Sequence, residues 1–442
     1  MHHSSQQHLN NHPFSLAMPA ASLFFYTLLL IYGTLFPLSG WEWPSNSLLN
    51  PLYPPWPQKL HTSDVITNLL IYIPFGFLLA LIVNRYCQFL LLLLLVTALG
   101  TGLSFLLEYL QTYLPTRVTS LADILLNGLG SFLGASLIIL VSPSSSLHKK
   151  LRSLKQYWFK DGTVTHIGLF VLGMWAVSQL FPLVPSLDVA SLRAGLRPLW
   201  HTLNDFSLFD PWHAATYTLN ITGLGLLAAT LFRENRRVLP LFTVFIIAVL
   251  FLKIPVVGRQ LSAESISGLF VSVFSLAVIL ALCSGSVSSR GFGRSGQGFN
   301  PGFNQGMAAL CLCSAFLLEA LQTGSSAVTK GINWIPFLGH MKSIMDMVDL
   351  VATAWPFAAL AYLALSFAPP NAKPVAISGA ILIAITTLVV EWLQQSLPGR
   401  YPDITDVVIA TLGWSLPWVY LSAITKSGLK GQTKAPPNPK YP

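Results

Sequence analysis

Charge is scarce in this chain: only 9% of its 442 residues are Asp, Glu, Lys or Arg, where a soluble domain carries about a quarter. That scarcity argues against an ordinary soluble fold. Cysteine is nearly absent as well. Cys87, Cys283, Cys311 and Cys313 all fall in or beside apolar segments. The Cys311-Leu-Cys313 pair has the wrong spacing for a zinc knuckle and no nearby histidine pair, so all four read as small core residues. No P-loop, Rossmann glycine pattern, zinc signature or nucleophile elbow stands in the context each one requires. The expectation is therefore no metal, no cofactor and no ATP-driven transport.

What the chain has instead is long apolar runs, such as residues 22–38, 89–107 and 268–283. A membrane-crossing helix needs roughly 20 such residues. The runs are continuous rather than alternating, which favours helices over a β-barrel. The expected fold is an all-α polytopic membrane protein. Twelve candidate spans lie near 20–38, 64–83, 89–110, 121–142, 166–183, 213–232, 238–254, 264–283, 306–323, 343–366, 374–396 and 404–424.

Ions are distributed asymmetrically between the two sets of breaks. One set holds sixteen of the 25 basic residues, among them Lys149, Lys150, Arg152, Arg233, Arg236 and Arg237, but only Asp161 and Glu234 of the 16 acids. Basic loops stay on the cytoplasmic side. Both termini are thus expected in the cytoplasm, with the protein in a bacterial inner membrane. The net charge of +9 reflects this sidedness and an anionic inner leaflet, and gives no argument for nucleic-acid binding. The stretch 147–160 reads as an amphipathic linker on the membrane surface. Residues 285–306 are Gly/Ser-rich and read as a flexible linker. The first fifteen residues, with four histidines, read as a polar tail before an uncleaved anchor. The Trp/Pro-rich loop 41–57 has the material of an interfacial belt, or of a lid.

The chain also repeats. Glu108, Gln111, Pro115, Arg117, Asp123 and Gly130 recur as Glu391, Gln394, Pro398, Arg400, Asp406 and Gly413 with every interval kept. An ungapped match of this kind indicates duplication. Upstream, Asp64 aligns with Asp346 and Pro74-Phe75 with Pro356-Phe357. A weaker middle copy keeps Arg259 and Glu264 at the Arg and acid places, has Leu250 and Lys253 for the Glu and Gln, and has His213 and Tyr217 at the Asp and Asn places. The expected organisation is a polar tail (1–19), a first four-helix unit (20–142), a basic linker (143–165), a degenerate second unit (166–284), a Gly/Ser linker (285–305), a third unit (306–425) and a basic tail (426–442). Four helices per unit make these parallel repeats.

In each unit the repeated polar residues gather at the extracytoplasmic end. Glu108 and Gln111 share a helix face at i, i+3, and the turn after Pro115 carries Arg117 back towards them. A guanidinium suits a carboxylate or phosphate partner. Asp123 and Asp64 add acids, and crowded carboxyls push one another towards protonation, which can make a general acid or a proton-coupled site. The bland reading stands beside this. Ser120-x-x-Asp123 and Asp403-x-x-Asp406 look like helix starts, Glu108 with Arg117 looks like a structural ion pair, and Asn68 and Asn127 look like interhelical hydrogen-bond glue.

The residues Asp64, Asn68, Pro74, Phe75, Gly76, Glu108, Gln111, Arg117, Asp123, Asn127 and Gly130 follow the pattern Asp-x-x-x-Asn, Pro-Phe-Gly, Glu-x-x-Gln, Arg, Asp-x-x-x-Asn, Gly. In this the segment resembles the VanZ-like membrane family. The third copy is similar, keeping Asp346, Glu391, Gln394, Arg400, Asp406 and Gly413, with Leu350 and Ala410 in place of the two asparagines. The middle copy reads as a scaffold. The resemblance implies an association with bacterial resistance to teicoplanin-type glycopeptides. The expected role is binding or handling an amphiphilic or lipid-linked ligand at the outer leaflet, with Arg117 and Arg400 holding an anionic group. The alternatives are an enzyme acting on a lipid-linked envelope substrate, with Glu108 or Asp123 as acid/base, a proton-coupled transporter, and a structural partner of an envelope complex. The near absence of ionisable residues in the cytoplasmic halves of the spans speaks against transport.

Overall fold

The structure is a computed structural model describing residues 17–35, 40–43, 62–115, 117–142, 145–181, 186, 188–233, 237–285, 301–324, 327–338, 344–367 and 373–432. The histidine-bearing tail, most of the Trp/Pro-rich loop, the core of the Gly/Ser linker and the end of the basic tail lie outside these residues. The described residues are helical, with no strands. Among the described residues nine helices are long and apolar enough to cross a membrane, so the chain is an all-α, multi-pass membrane protein. The remaining three expected spans are also apolar helices, but shorter in their apolar part: 22–35, 238–252 and 350–365.

The chain divides into two compact units, residues 1–154 with 422–442 and residues 155–421. The first holds α1 (Ala17–Leu35), α2 (Thr62–Val83), α3 (Phe89–Gln111), α4 (Leu121–Ser136), a short α5 (Ile138–Val141) and most of α6 (Ser146–Trp158). The second holds α7 (Thr163–Leu180), α8 (Val189–Asn204), α9 (Pro211–Leu231), α10 (Val238–Leu252), α11 (Ala263–Gly285), α12 (Pro301–Leu321), α13 (Ile344–Leu365), α14 (Lys373–Gln394) and most of α15 (Ile404–Gln432).

Inside a membrane the hydrophobic effect does not press helices together, so close backbone packing and hydrogen bonds must do it. In the first unit α4 lies directly against α2. A Cβ at Gly130 would stand 2.3 Å from the Leu69 carbonyl oxygen, and one at Gly134 would stand 2.0 Å from that of Ile73. Only glycine permits that approach. Outward-facing positions of α3 such as Leu90 and Leu94 are apolar and exposed, which suits lipid contact.

The second unit joins what the sequence divides. Helices α12 and α13, from the expected third repeat, pack on α9 and α7 from the expected second. Periodicity reports which face of a helix is apolar, and two apolar faces from different repeats are indistinguishable by that signal. The helix α8 was not among the expected spans. Its mixed composition, with Arg193, Arg197, His201 and an internal Pro198, hides it from a search for apolar runs. The linker helix α6 forms with no buried residue. At its end Arg233 pairs with Asp161 at 2.5 Å, and Arg237 stacks on Tyr157 and Trp158.

Candidate functional site

Each repeated polar residue is placed by a helix end. In the first unit the carboxylate of Glu108, only 5% exposed in the last turn of α3, accepts the backbone N–H of Ser120 at 3.0 Å. Ser120 is the residue that opens α4. A helix start leaves unsatisfied N–H groups and a partial positive charge, which a carboxylate neutralises. Gln111 Nε2 donates to the Thr34 carbonyl at 3.0 Å, and the Arg117 guanidinium donates to the Gly33 carbonyl at 3.2 Å. Both carbonyls lie in the last turn of α1, where orphan C=O groups and partial negative charge favour a cation.

The second unit repeats these bonds. Glu391 accepts from the Asp403 backbone N–H at 2.8 Å and Gln394 Nε2 donates to Ala320 O at 3.0 Å. Arg400 Nε donates to Gln322 O at 2.6 Å, and its Nη2 donates to Glu319 O. In the middle copy Arg259 does the same for α7, with Nε to Phe181 O at 2.7 Å and Nη2 to Ser178 O at 3.1 Å. Lys253, at the Gln place and 4% exposed, donates to the Gln179 side chain at 2.9 Å and to the Tyr217 hydroxyl at 3.2 Å. Arg117 and Arg400, the residues expected to hold an anionic group, both spend N–H groups on helix ends. Their guanidinium groups donate to carbonyls at the ends of α1 and α12.

Around these caps lies a polar face. Asn68 on α2 bonds to Asp123 on α4, and Asp64 is within electrostatic reach of that same carboxyl. One turn deeper, Asn127 Nδ2 donates to Ser104 Oγ at 2.8 Å, Tyr72 shares Ser104, and Ser131 Oγ donates to Asn127 O at 3.0 Å. All seven residues expected in the first site thus gather at one end of α1–α4. Tyr72, Ser104 and Ser131 were missed, although Ser104 and Glu108 stand at i, i+4. Among the described residues Gln111 Oε1, Ser120 Oγ and Asn127 Oδ1 are buried without a hydrogen-bond partner.

In the third copy Asp406 accepts from Thr353 Oγ1 at 3.5 Å. Thr353 therefore stands where Asn68 stands in the first unit, and the alignment that put Leu350 there is displaced by about one turn. The glycine contacts agree, because Gly413 meets Ala354 O as Gly130 meets Leu69 O. Asp346 falls in a stretch of α13 whose side chains lie outside the described residues. Asp403 opens α15 by accepting Thr405 N at 2.7 Å, so this copy has its own side-chain cap.

The second unit also holds a half-open cavity of about 870 Å3. Glu391, Gln394, Arg400 and Asp406 of the third copy line one side. Gln179, His213, Tyr217 and Asn220 of the middle copy line another, and Phe316, Trp355 and Phe357 supply apolar wall. The middle copy is thus part of the cavity wall rather than scaffold alone. At the start of α9, Asp210 caps Trp212 N at 2.8 Å and bonds to His213 Nδ1 at 2.9 Å and Gln322 Nε2 at 2.8 Å. Partial burial pushes its carboxyl up, but those N–H groups and the His213 ring together hold it below the usual aspartate range. Among the described residues no three His, Cys, Asp or Glu side chains gather as a metal site.

Residues 23–142 match the model of the VanZ/LLP1 family. No curated protein and no solved structure matches the chain.

Proposed function

Taking residues 23–142 as a VanZ-like unit of a multi-pass membrane protein, we propose that the chain binds an amphiphilic or lipid-linked ligand at the outer leaflet of a bacterial inner membrane. The observation that carries the reading is the cavity of about 870 Å3 in the second unit. It has the size range of a small-molecule pocket and the mixed lining such pockets use, apolar walls with a few polar groups to orient the ligand. Ionisable side chains inside membrane segments are costly and tend to mark sites of function. The location at the outer leaflet rests on the distribution of basic residues, which favours the cytoplasm for the opposite helix ends. By family, the biological role is connected with resistance to teicoplanin-type glycopeptides.

Filling the cavity without touching a cap is the test. Ala352 lines it, and Ala352→Trp would place an indole inside. The expected outcome is that mass spectrometry finds an amphiphile co-purifying with the parent, and that the variant, as abundant and as heat-stable, neither retains it nor restores glycopeptide tolerance to a deletion strain. A variant that fills the cavity yet restores tolerance and retains the same molecules would overturn the proposal.

A further inference from the structure

We infer that the headgroup taken by the second-unit cavity is an ammonium, so that the ligand class is an amine-bearing amphiphile rather than a phosphate- or carboxylate-bearing one. The inference rests on the reading of the cavity as an amphiphile site. Four carboxyl side chains line it: Glu319, Glu391, Asp403 and Asp406. Against them stand two basic side chains. Arg400 is on the wall, but its Nε and Nη2 are directed at the Gln322 and Glu319 carbonyls. Lys253 stands behind the wall, its ammonium held by Gln179 and Tyr217. An anionic headgroup would meet the carboxyls with no guanidinium fork turned towards it. A cationic headgroup would find acceptor capacity there beyond what Glu391 and Asp403 already give to the Asp403 and Thr405 N–H groups.

The aromatic lining agrees. Trp355, Phe316, Phe357 and Tyr217 all border the space, and ring faces attract ammonium groups in desolvated sites. The protein already shows that these walls hold one, since the Lys253 ammonium lies 5.3 Å from the centre of the Tyr217 ring and donates to the same phenol and to Gln179. Two lining side chains, Gln179 and Tyr217, are thus seen accepting an ammonium from within the protein.

The experiment uses the full chain in dodecyl maltoside, titrated calorimetrically at neutral pH with hexylamine, hexyl phosphate and hexanol against a matched micelle blank. The expected result is hexylamine binding about tenfold or more tighter than hexyl phosphate. In Glu319→Gln and Asp406→Asn proteins that keep the parent melting temperature, the amine should lose about tenfold in affinity while hexanol changes little. Should either variant misfold, the preference of the parent protein between amine and phosphate decides the matter alone. Hexyl phosphate binding as tightly as hexylamine, or tighter, would overturn the ammonium assignment and leave an amphiphile site standing. None of the three binding would remove both.

Discussion

The Glu391 carboxylate accepts the backbone N–H of Asp403, twelve residues further on, at 2.8 Å, and Glu108 holds Ser120 across the same interval at 3.0 Å. The last turn of a third helix thus caps the first turn of the fourth in both copies. Where a reader of the sequence would look for a catalytic acid, the structure uses the acid to close a hairpin between two helices.

Replacing Glu391 with Leu should therefore destabilise the protein more than it alters ligand affinity. The change leaves the Asp403 N–H without its acceptor in a buried place, and a charge-assisted bond of this kind contributes about 2 kcal/mol. Thermal unfolding in detergent would show the loss as a drop of several degrees. An unchanged melting temperature would return Glu391 to the list of groups held for chemistry.

The three arginines make a parallel prediction. Arg259 and Arg400 each reach the carbonyls 81 and 78 residues upstream, closing the first helix of their copies. Arg259→Lys should recover little of the stability lost in Arg259→Ala, because an ammonium cannot serve two carbonyls with the geometry of a planar fork. The expected loss is about 1–2 kcal/mol for either variant. Full recovery by lysine would show that charge at the helix end matters and the fork does not.

Gly134 is predicted to tolerate nothing larger. A Cβ there would stand 2.0 Å from Ile73 O and 2.9 Å from Phe77 N, both backbone atoms that cannot rotate aside. In Gly134→Ala, α2 and α4 must separate, and overpacking of this sort costs about 1–3 kcal/mol or more. The full-length Gly134→Ala protein should melt below the parent in detergent, and an unchanged melting temperature would show that α2 and α4 can part without cost.

The start of α9 should give a pH signature. Asp210 is held below the usual aspartate range by the capped N–H groups, His213 and Gln322 despite the upward push of partial burial. A carboxyl with a depressed folded value contributes stability above its unfolded value, about 3.9, and that contribution disappears as pH falls through the lower folded value. Asp210→Asn, which keeps a capping oxygen but not the charge, should accordingly melt below the parent at pH 7, with the gap narrowing as the pH falls below about 4. A gap that stays constant across this range would show that the cap acts through its shape and not its charge.

Much of this architecture can be read from residues. The apolar runs announce the helices, and the repeated intervals from Glu108 to Gly130 and from Glu391 to Gly413 announce that two hairpins share a construction. What the intervals do not say is which atoms they join. Arg117 at a turn reads equally well as a ligand clamp or as a helix cap, and the Gly33 carbonyl it reaches lies 84 residues away in sequence. The cavity was illegible for a similar reason. It forms because α12 packs on α9 and α13 on α7, partnerships between repeats that no periodicity encodes. Thr353 was hidden by a local alignment anchored on Pro356-Phe357, although its contact with Asp406 is what the Asn68–Asp123 bond predicts.

Lys253 offers the sharpest test of how far the middle copy has diverged. It holds the place of Gln394, since both reach a residue 74 positions upstream. Gln394 takes a backbone carbonyl there, whereas Lys253 takes the Gln179 side chain and the Tyr217 hydroxyl. Lys253→Met removes the donor both of them use in a place where water is scarce, and leaving such groups unpaired costs about 1–3 kcal/mol each. Lys253→Gln retains a donor but not a charge, and should recover part of that loss because an amide can still serve Gln179. Since Gln179 and Tyr217 also line the cavity, the methionine variant should disturb ligand binding even in protein that remains folded at low temperature. Equal stability of the Met and Gln variants would mean that the ammonium is tolerated there and holds nothing in place.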